Sequence, residues 1–357
     1  MNRRTFLKAA SVGGLVARGP ATAVFGYSPQ HASQEQAGGN SAGQKRQPTG
    51  KSPERILLKD YRPKSIYKIP VTEIAKARYP IIDMHSHPYA KTPEQIAEWV
   101  ANMEEVGVEK TVILTSSVGR EFDAIYRQYA KYSDRFEVWC GLDFTAYDQP
   151  GFGGAALREL ERCYRAGARG VGELHDKGQG MASGKSKTQG LHPDDSRMDS
   201  MFEKCAELGL PISIHVADPI WMYQKMDRTN DGLMNAYHWR LLDYDLARLG
   251  ELFDRNPNLY ADISARYAET APIPRFASQF YAKHSDRLLY GTDMGFDRPM
   301  YRVTFRILES LDEHFYETEQ FDYHWSLNGF GLPDSTLQGV YHDNAAKIIA
   351  SHPAKPR

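Results

Sequence analysis

The sequence predicts an α/β fold of the (β/α)8, TIM-like barrel type. Short apolar, β-branched runs alternate with segments of helical period, the pattern of βαβ units and a parallel sheet. Histidines and carboxylates recur at the carboxyl ends of those runs, where a barrel of this kind builds its active site. The 357 residues, 41% hydrophobic and 25% charged, suffice for one such barrel around a sizeable core.

The first predicted strand is Tyr79 to His87, an apolar run ending in Asp83-Met84-His85-Ser86-His87 and stopped by Pro88. A helix from about Thr92 to Val106 opens on a cap-like Thr-Pro-Glu. Strand two is Lys110 to Leu114, helix two about Glu121 to Ser133, and strand three Phe136 to Leu142. Helix three, Gly153 to Arg165, closes on Gly167, and strand four is Ala168 to Leu174. A long polar loop, Asp176 to Asp195, separates it from helix four, Met198 to Leu208, and strand five, Pro211 to Val216. Later come a helix at Asp245 to Arg255, a strand at Leu259 to Ile263, a helix at Pro274 to Lys283 and the last strand, Arg287 to Asp293. Helices through Leu311 and from Asp334 to Ala350 finish the chain.

These runs are one strand short of the eight a barrel needs. Ala217 to Asn258 contains a Trp/Met/Asn-rich loop and one helix but no β-branched apolar run. Either the sixth βα unit is deleted, or Tyr237 to Leu242 serves as a poor sixth strand carrying His238.

Side chains alternate faces along a strand, so His85 and His87 point the same way and form half of a metal site. Glu173, His215 and Asp293 each arrive at the end of another predicted strand. Singly, each has a plainer reading: His215 as a satisfied core histidine, Asp293 as a turn cap, Glu173 as half of an ion pair. Together, three imidazoles and carboxylates suit Zn2+, with Mn2+ or Fe2+ as alternatives. His175 shares its face with Glu173 and is expected to line the pocket. The aromatic stretches at Trp221-Met222-Tyr223 and Phe315 to Phe330 could wall a substrate site or simply pack an insertion. Gly178-Gln179-Gly180 and Gly184-Lys185 lack the spacing and context of a phosphate loop.

At Ile82-Asp83-Met84-His85-Ser86-His87, Pro211 to Pro219, Leu289-Tyr290-Gly291-Thr292-Asp293 and Asp343 to Ile348, the chain resembles the amidohydrolase superfamily. The similarity is to the amidohydrolase-related branch that includes aminocarboxymuconate-semialdehyde decarboxylase, over about Tyr79 to Ala350. It implies a distorted barrel of the metal-dependent hydrolase type with one or two divalent ions. His85, His87 and His215 would bind metal, and Asp293 would bind it or take the proton of a bound water. Glu173 would stand where some relatives place a bridging carboxylate or lysine. A histidine expected after strand six is missing, with His238 its only stand-in. Three functions follow: a hydrolase cleaving a C–N or C–O bond of a small carbonyl substrate, a non-oxidative decarboxylase on the same site, or an inactive barrel with a binding role.

Asn2-Arg3-Arg4-Thr5-Phe6-Leu7-Lys8, a weakly apolar stretch and Ala21-Thr22-Ala23 look like a twin-arginine signal over residues 1–26. It predicts export by that machinery, a periplasmic location and no stable membrane insertion after processing. Residues 27–55, rich in Gln, Gly, Ser, Lys and Pro, predict a flexible linker. Residues 56–78 regain apolar side chains and are expected against the outside of a barrel spanning 79–350. A formal net charge of −1 argues against a nucleic-acid partner and leaves a small molecule as the ligand class. Cys140, Cys163 and Cys205 have neither metal spacing nor even number, so no disulfide framework is expected. The sequence leaves the oligomeric state open.

Overall fold

The computed structural model describes residues 53–57, 60–150, 152–216, 225, 227–230, 246–320 and 324–351. The signal-like residues, most of the linker, Trp221 and His238 lie outside the described residues.

Nine strands are described: β1 Ile81–Ser86, β2 Val108–Leu114, β3 Phe136–Trp139, β4 Val171–Asp176, β5 Met181–Ser183, β6 Ser186–Lys187, β7 Ile212–Val216, β8 Ala261–Asp262 and β9 Leu288–Leu289. β1, β2 and β3 pair in parallel, as do β4 with β7 and β8 with β9. A parallel bridge between Cys140 and Val171 joins β3 to β4. Met84 N–H donates to Tyr290 O and Thr292 N–H donates to His85 O, so β1 and the chain leaving β9 advance together. The order around the sheet is therefore β7-β4-β3-β2-β1-β9-β8. Among the described residues nothing pairs with the outer edges of β7 and β8, and β7 is only half-buried where β1 is fully buried. The expected loss or displacement of a sixth strand falls between these edges, mostly on residues outside the description.

The helices follow local chemistry. Helix α1, Pro93–Val106, begins with a complete capping box, Thr92 to the Gln95 N–H and Gln95 back to Thr92, with Pro93 in the first turn. It ends at Gly107, whose φ of 91° is a left-handed conformation that glycine adopts without cost. Helices α2 (Gly119–Tyr129), α3 (Phe152–Ala166), α4 (Asp199–Glu207), α5 (Leu246–Arg255), α6 (Tyr267–Thr270), α7 (Pro274–Lys283), α8 (Arg298–Glu309), α9 (Asp334–Gln338) and α10 (Asn344–Ala350) follow. Between sheet and helices lies the main core. In it the fully buried Trp99 donates from Nε1 to Tyr301 Oη at 3.1 Å and stacks on Phe296 with ring centroids 4.9 Å apart. Burying a side chain of this size contributes roughly 1.5–3 kcal/mol.

The structure corrects several expected boundaries. β1 stops at Ser86, so His87 stands just past the strand, on the turn that Pro88 begins. β9 is two residues long, and the Gly291-Thr292-Asp293 turn follows it instead of continuing the strand. The polar stretch expected as a loop after β4 contains the β5–β6 hairpin, turned by Gly184-Lys185. Its strands, Met181-Ala182-Ser183 and Ser186-Lys187, are too short and too mixed in character for an apolar alternation to mark them. The expected helix from Asp334 to Ala350 is interrupted by a π-helical turn, Gly339–Asp343. Residues before the barrel are tied to it through Thr72, whose backbone and hydroxyl donate to Asp312 at 2.8 and 2.6 Å. Ile66, Tyr67 and Val71 there are exposed. No helix of the described residues is long and apolar enough to cross a membrane.

Candidate metal centre

Six of the residues singled out in the sequence meet at the carboxyl ends of β1, β4, β7 and β9. His87 Nε2 lies 3.1 Å from Asp293 Oδ1 and 3.6 Å from Glu173 Oε2. His85 Nε2 lies 3.8 Å from Glu173 Oε1 and 4.0 Å from Asp293 Oδ1. Donors about 2.0–2.1 Å from a tetrahedral ion stand roughly 3.3–3.4 Å from one another, by the geometry of a tetrahedron. These five atoms, two imidazole nitrogens and three carboxylate oxygens, lie 3.1–4.0 Å apart in the pairs given, spacings compatible with donors to one divalent ion.

The two rings are oriented for that task. His87 Nδ1 donates to the Leu114 carbonyl at 2.9 Å, which leaves its Nε2 lone pair facing the carboxylates. His85 Nδ1 donates to Asp262 Oδ1 at 3.1 Å. Its Nε2 is buried and has no hydrogen-bond partner among the described residues. An orphaned buried nitrogen is costly, and here it faces two carboxylates, the environment a cation would complete. The local potential says the same. Burial disfavours the His85 imidazolium, yet the carboxylates of Asp262 and Asp293 outweigh it and lift the ring from 6.5 to about 10.

Glu173 is the hub. His175 Nε2 donates to its Oε2 at 2.9 Å and His215 Nδ1 donates to its Oε1 at 3.2 Å. Burial would raise this carboxyl, but the hydrogen bonds from His175 and His215 and the nearby His85 hold it well below the usual carboxylate range. His215 therefore joins the cluster through Glu173. Donor atoms of Glu173, His175 and His215 form one compact group, and those of His85, His87 and Glu173 another, each within 4.8 Å. His175, with a third of its side chain exposed, lies on the solvent side.

Asp293 has a φ of 54°, a left-handed conformation that is strained for a side chain larger than glycine's. Its N–H donates to His85 O at 2.9 Å and its Oδ1 accepts from Tyr89 Oη at 3.0 Å, which together hold it in place. Burial raises the Asp293 carboxyl, and the two histidines, His85 first, pull it below its ordinary value.

A family model described as "Amidohydrolase" matches residues 71–349. The chain belongs to the amidohydrolase family. Two solved structures are similar to this family member at low identity. An uncharacterized TIM-barrel protein from Bordetella bronchiseptica is 15% identical, with a TM-score of 0.47 over 76% of this chain and 99% of the other. A 5-carboxyvanillate decarboxylase from Novosphingobium aromaticivorans, solved with manganese and 4-hydroxy-3-methoxy-5-nitrobenzoic acid, is 16% identical. Its TM-score is 0.44 over 79% of this chain and all of the other. No curated protein matches the chain significantly.

Three participants escaped the sequence reading of this amidohydrolase. Asp262 sits at the carboxyl end of β8 and carries the same signal as Glu173 and Asp293, an acid at a strand end. Asp83, buried one alternation before His85, takes the backbone N–H of His85 on Oδ1 at 3.2 Å. Tyr89 lies in the turn after His87, where no periodicity marks it.

Proposed function

We propose that this amidohydrolase-family protein is a metal-dependent hydrolase that cleaves a C–N or C–O bond of a small carbonyl substrate. The observation that carries the reading is the four-donor cluster of His85, His87, Glu173 and Asp293, with the His85 Nε2 buried and unpartnered. Two imidazole nitrogens and two carboxylate oxygens match zinc, manganese or iron(II). An ion held there supplies Lewis acidity, lowering the pKa of water towards neutrality and polarising a carbonyl.

The chain's own groups do the rest. His87 and His85 present Nε2 lone pairs because Leu114 O and Asp262 occupy their other nitrogens. Glu173 stays ionised because His175 and His215 donate to it. Asp293 is the base: one oxygen is held by Tyr89, and its other can accept a proton from the attacking water and return it to the leaving group. His215 acts in this reading through Glu173. His175 stands at the exposed side, where substrate would enter. Trp221 and His238, outside the described residues, remain candidates for the substrate wall and a further proton donor.

The Arg3-Arg4-containing leader supports export by the twin-arginine route to the periplasm, and fractionation of wild type against R3K/R4K tests it.

The test of activity is turnover by metal-loaded protein on a panel of esters, amides and aromatic carboxylates. Hydrolysis lost in Asp293→Asn supports the reading. Release of CO2 from an aromatic carboxylate without ester or amide cleavage would replace it with decarboxylation. Inactivity of fully metal-loaded protein on every class would favour a binding role.

A further inference from the structure

We propose that Asp262 is a positioning residue of this centre, fixing the proton of His85 on Nδ1 so that Nε2 is the nitrogen offered to the ion. The inference rests on the metal reading above and deepens it.

His85 is held from three strands. Its backbone N–H donates to Asp83 within β1. Its Cβ lies in close packing with Gly291 after β9: a methyl built on Gly291 would come within 2.9 Å of it and 2.0 Å of Ser264 Oγ. Its ring Nδ1 donates to Asp262 at the end of β8. Only the last contact chooses between the two nitrogens. A carboxylate has no proton to give, so it selects the form with hydrogen on Nδ1 and leaves Nε2 free.

Asp262 is itself prearranged. The same Oδ1 accepts the backbone N–H of Ser264 at 3.2 Å, which pins the carboxylate where the chain turns out of β8. The two histidines are thereby unequal. His87 leans on a neutral carbonyl and His85 on a charged acceptor, which makes His85 the more basic donor. β8 supplies no donor to the cluster, yet through Asp262 it determines what β1 can offer.

The test is zinc affinity by chelator competition, with 15N spectra of the imidazoles in zinc-loaded protein assigned against His85→Gln. The expected spectrum has His85 protonated on Nδ1 with zinc on Nε2. Asp262→Ala should weaken zinc about 10–100-fold, the range for loss of an outer hydrogen-bond partner. Asp262→Asn keeps an acceptor oxygen and should retain most of the affinity. Zinc on Nδ1 of His85 in wild type, or undiminished affinity in Asp262→Ala, overturns the proposal. If Asp262→Ala does not fold, the wild-type spectrum decides it alone. Wild type that binds no zinc, manganese or iron removes the metal reading itself, a result distinct from tight binding by Asp262→Ala.

Discussion

Asp83 on β1 grips Thr292 beyond β9 with both oxygens: Oδ1 takes the Thr292 backbone N–H at 3.0 Å and Oδ2 takes its hydroxyl at 2.7 Å. The pair is fully buried, and the same Oδ1 also receives the His85 N–H. Two of the site's segments, one ending in His85 and His87 and the other in Asp293, are thus tied together beneath the donor cluster.

That burial makes Asp83 a source of pH dependence. Loss of water lifts its carboxyl from 3.8 to about 7, although Thr292 and the His85 N–H pull the other way. Because the folded state holds this proton more tightly than the unfolded chain, its stabilising contribution is full below about pH 4 and falls as pH rises to about 7. Urea unfolding of wild type should therefore lose stability relative to Asp83→Asn between pH 4 and 7. Parallel curves for the two proteins would remove Asp83 as the cause.

Glu173 should be far less replaceable than the histidines that hold it. Glu173→Gln removes a charged donor and should cost more than about 100-fold in metal affinity. His175→Asn and His215→Asn should fall within the ~10–100-fold typical of outer partners. Metal titration of the three variants checks the order. A His215 variant weaker than Glu173→Gln would make His215 a direct ligand.

Tyr89→Phe removes one hydrogen bond to the Asp293 carboxylate and leaves the four donors in place. A bond to a charged group contributes ~1.5–3 kcal/mol, so turnover should drop about tenfold or more with metal content unchanged. Steady-state kinetics on metal-quantified protein gives the answer. An unchanged kcat would show that the contact does not position the base.

Gly170 tests the packing below the site. A methyl there would come within 2.2 Å of the buried Trp139 ring, whose Nε1 donates to Glu137 at 2.9 Å. Gly170→Ala should destabilise by about 1–3 kcal/mol through overpacking, read as a lower thermal midpoint. An unchanged midpoint would mean that the β3–β4 contact relaxes freely.

Much of this was legible in the chain. The β/α alternation located each of the seven strands in the sheet, because apolar, β-branched runs bounded by turn residues are what a buried parallel strand requires. His85, His87, Glu173, His175, His215 and Asp293 were legible because strand ends in this architecture converge. The division of labour among them was not. That Glu173 stands between two pairs of histidines depends on side-chain directions across three strands, which spacing along one strand does not encode. Tyr89 was invisible because a turn has no period. The β5–β6 hairpin was not legible because strands of three and two residues, Met181–Ser183 and Ser186–Lys187, are too short to show a period.

In the proposed centre, His85, His87, Glu173 and Asp293 bind one divalent ion between them. Elemental analysis of purified protein, wild type beside His85→Ala/His87→Ala, tests it most directly. Wild type should hold a divalent metal tightly, and the double variant should lose it. A folded wild type that takes up no zinc, manganese or iron, even after reconstitution, would contradict it.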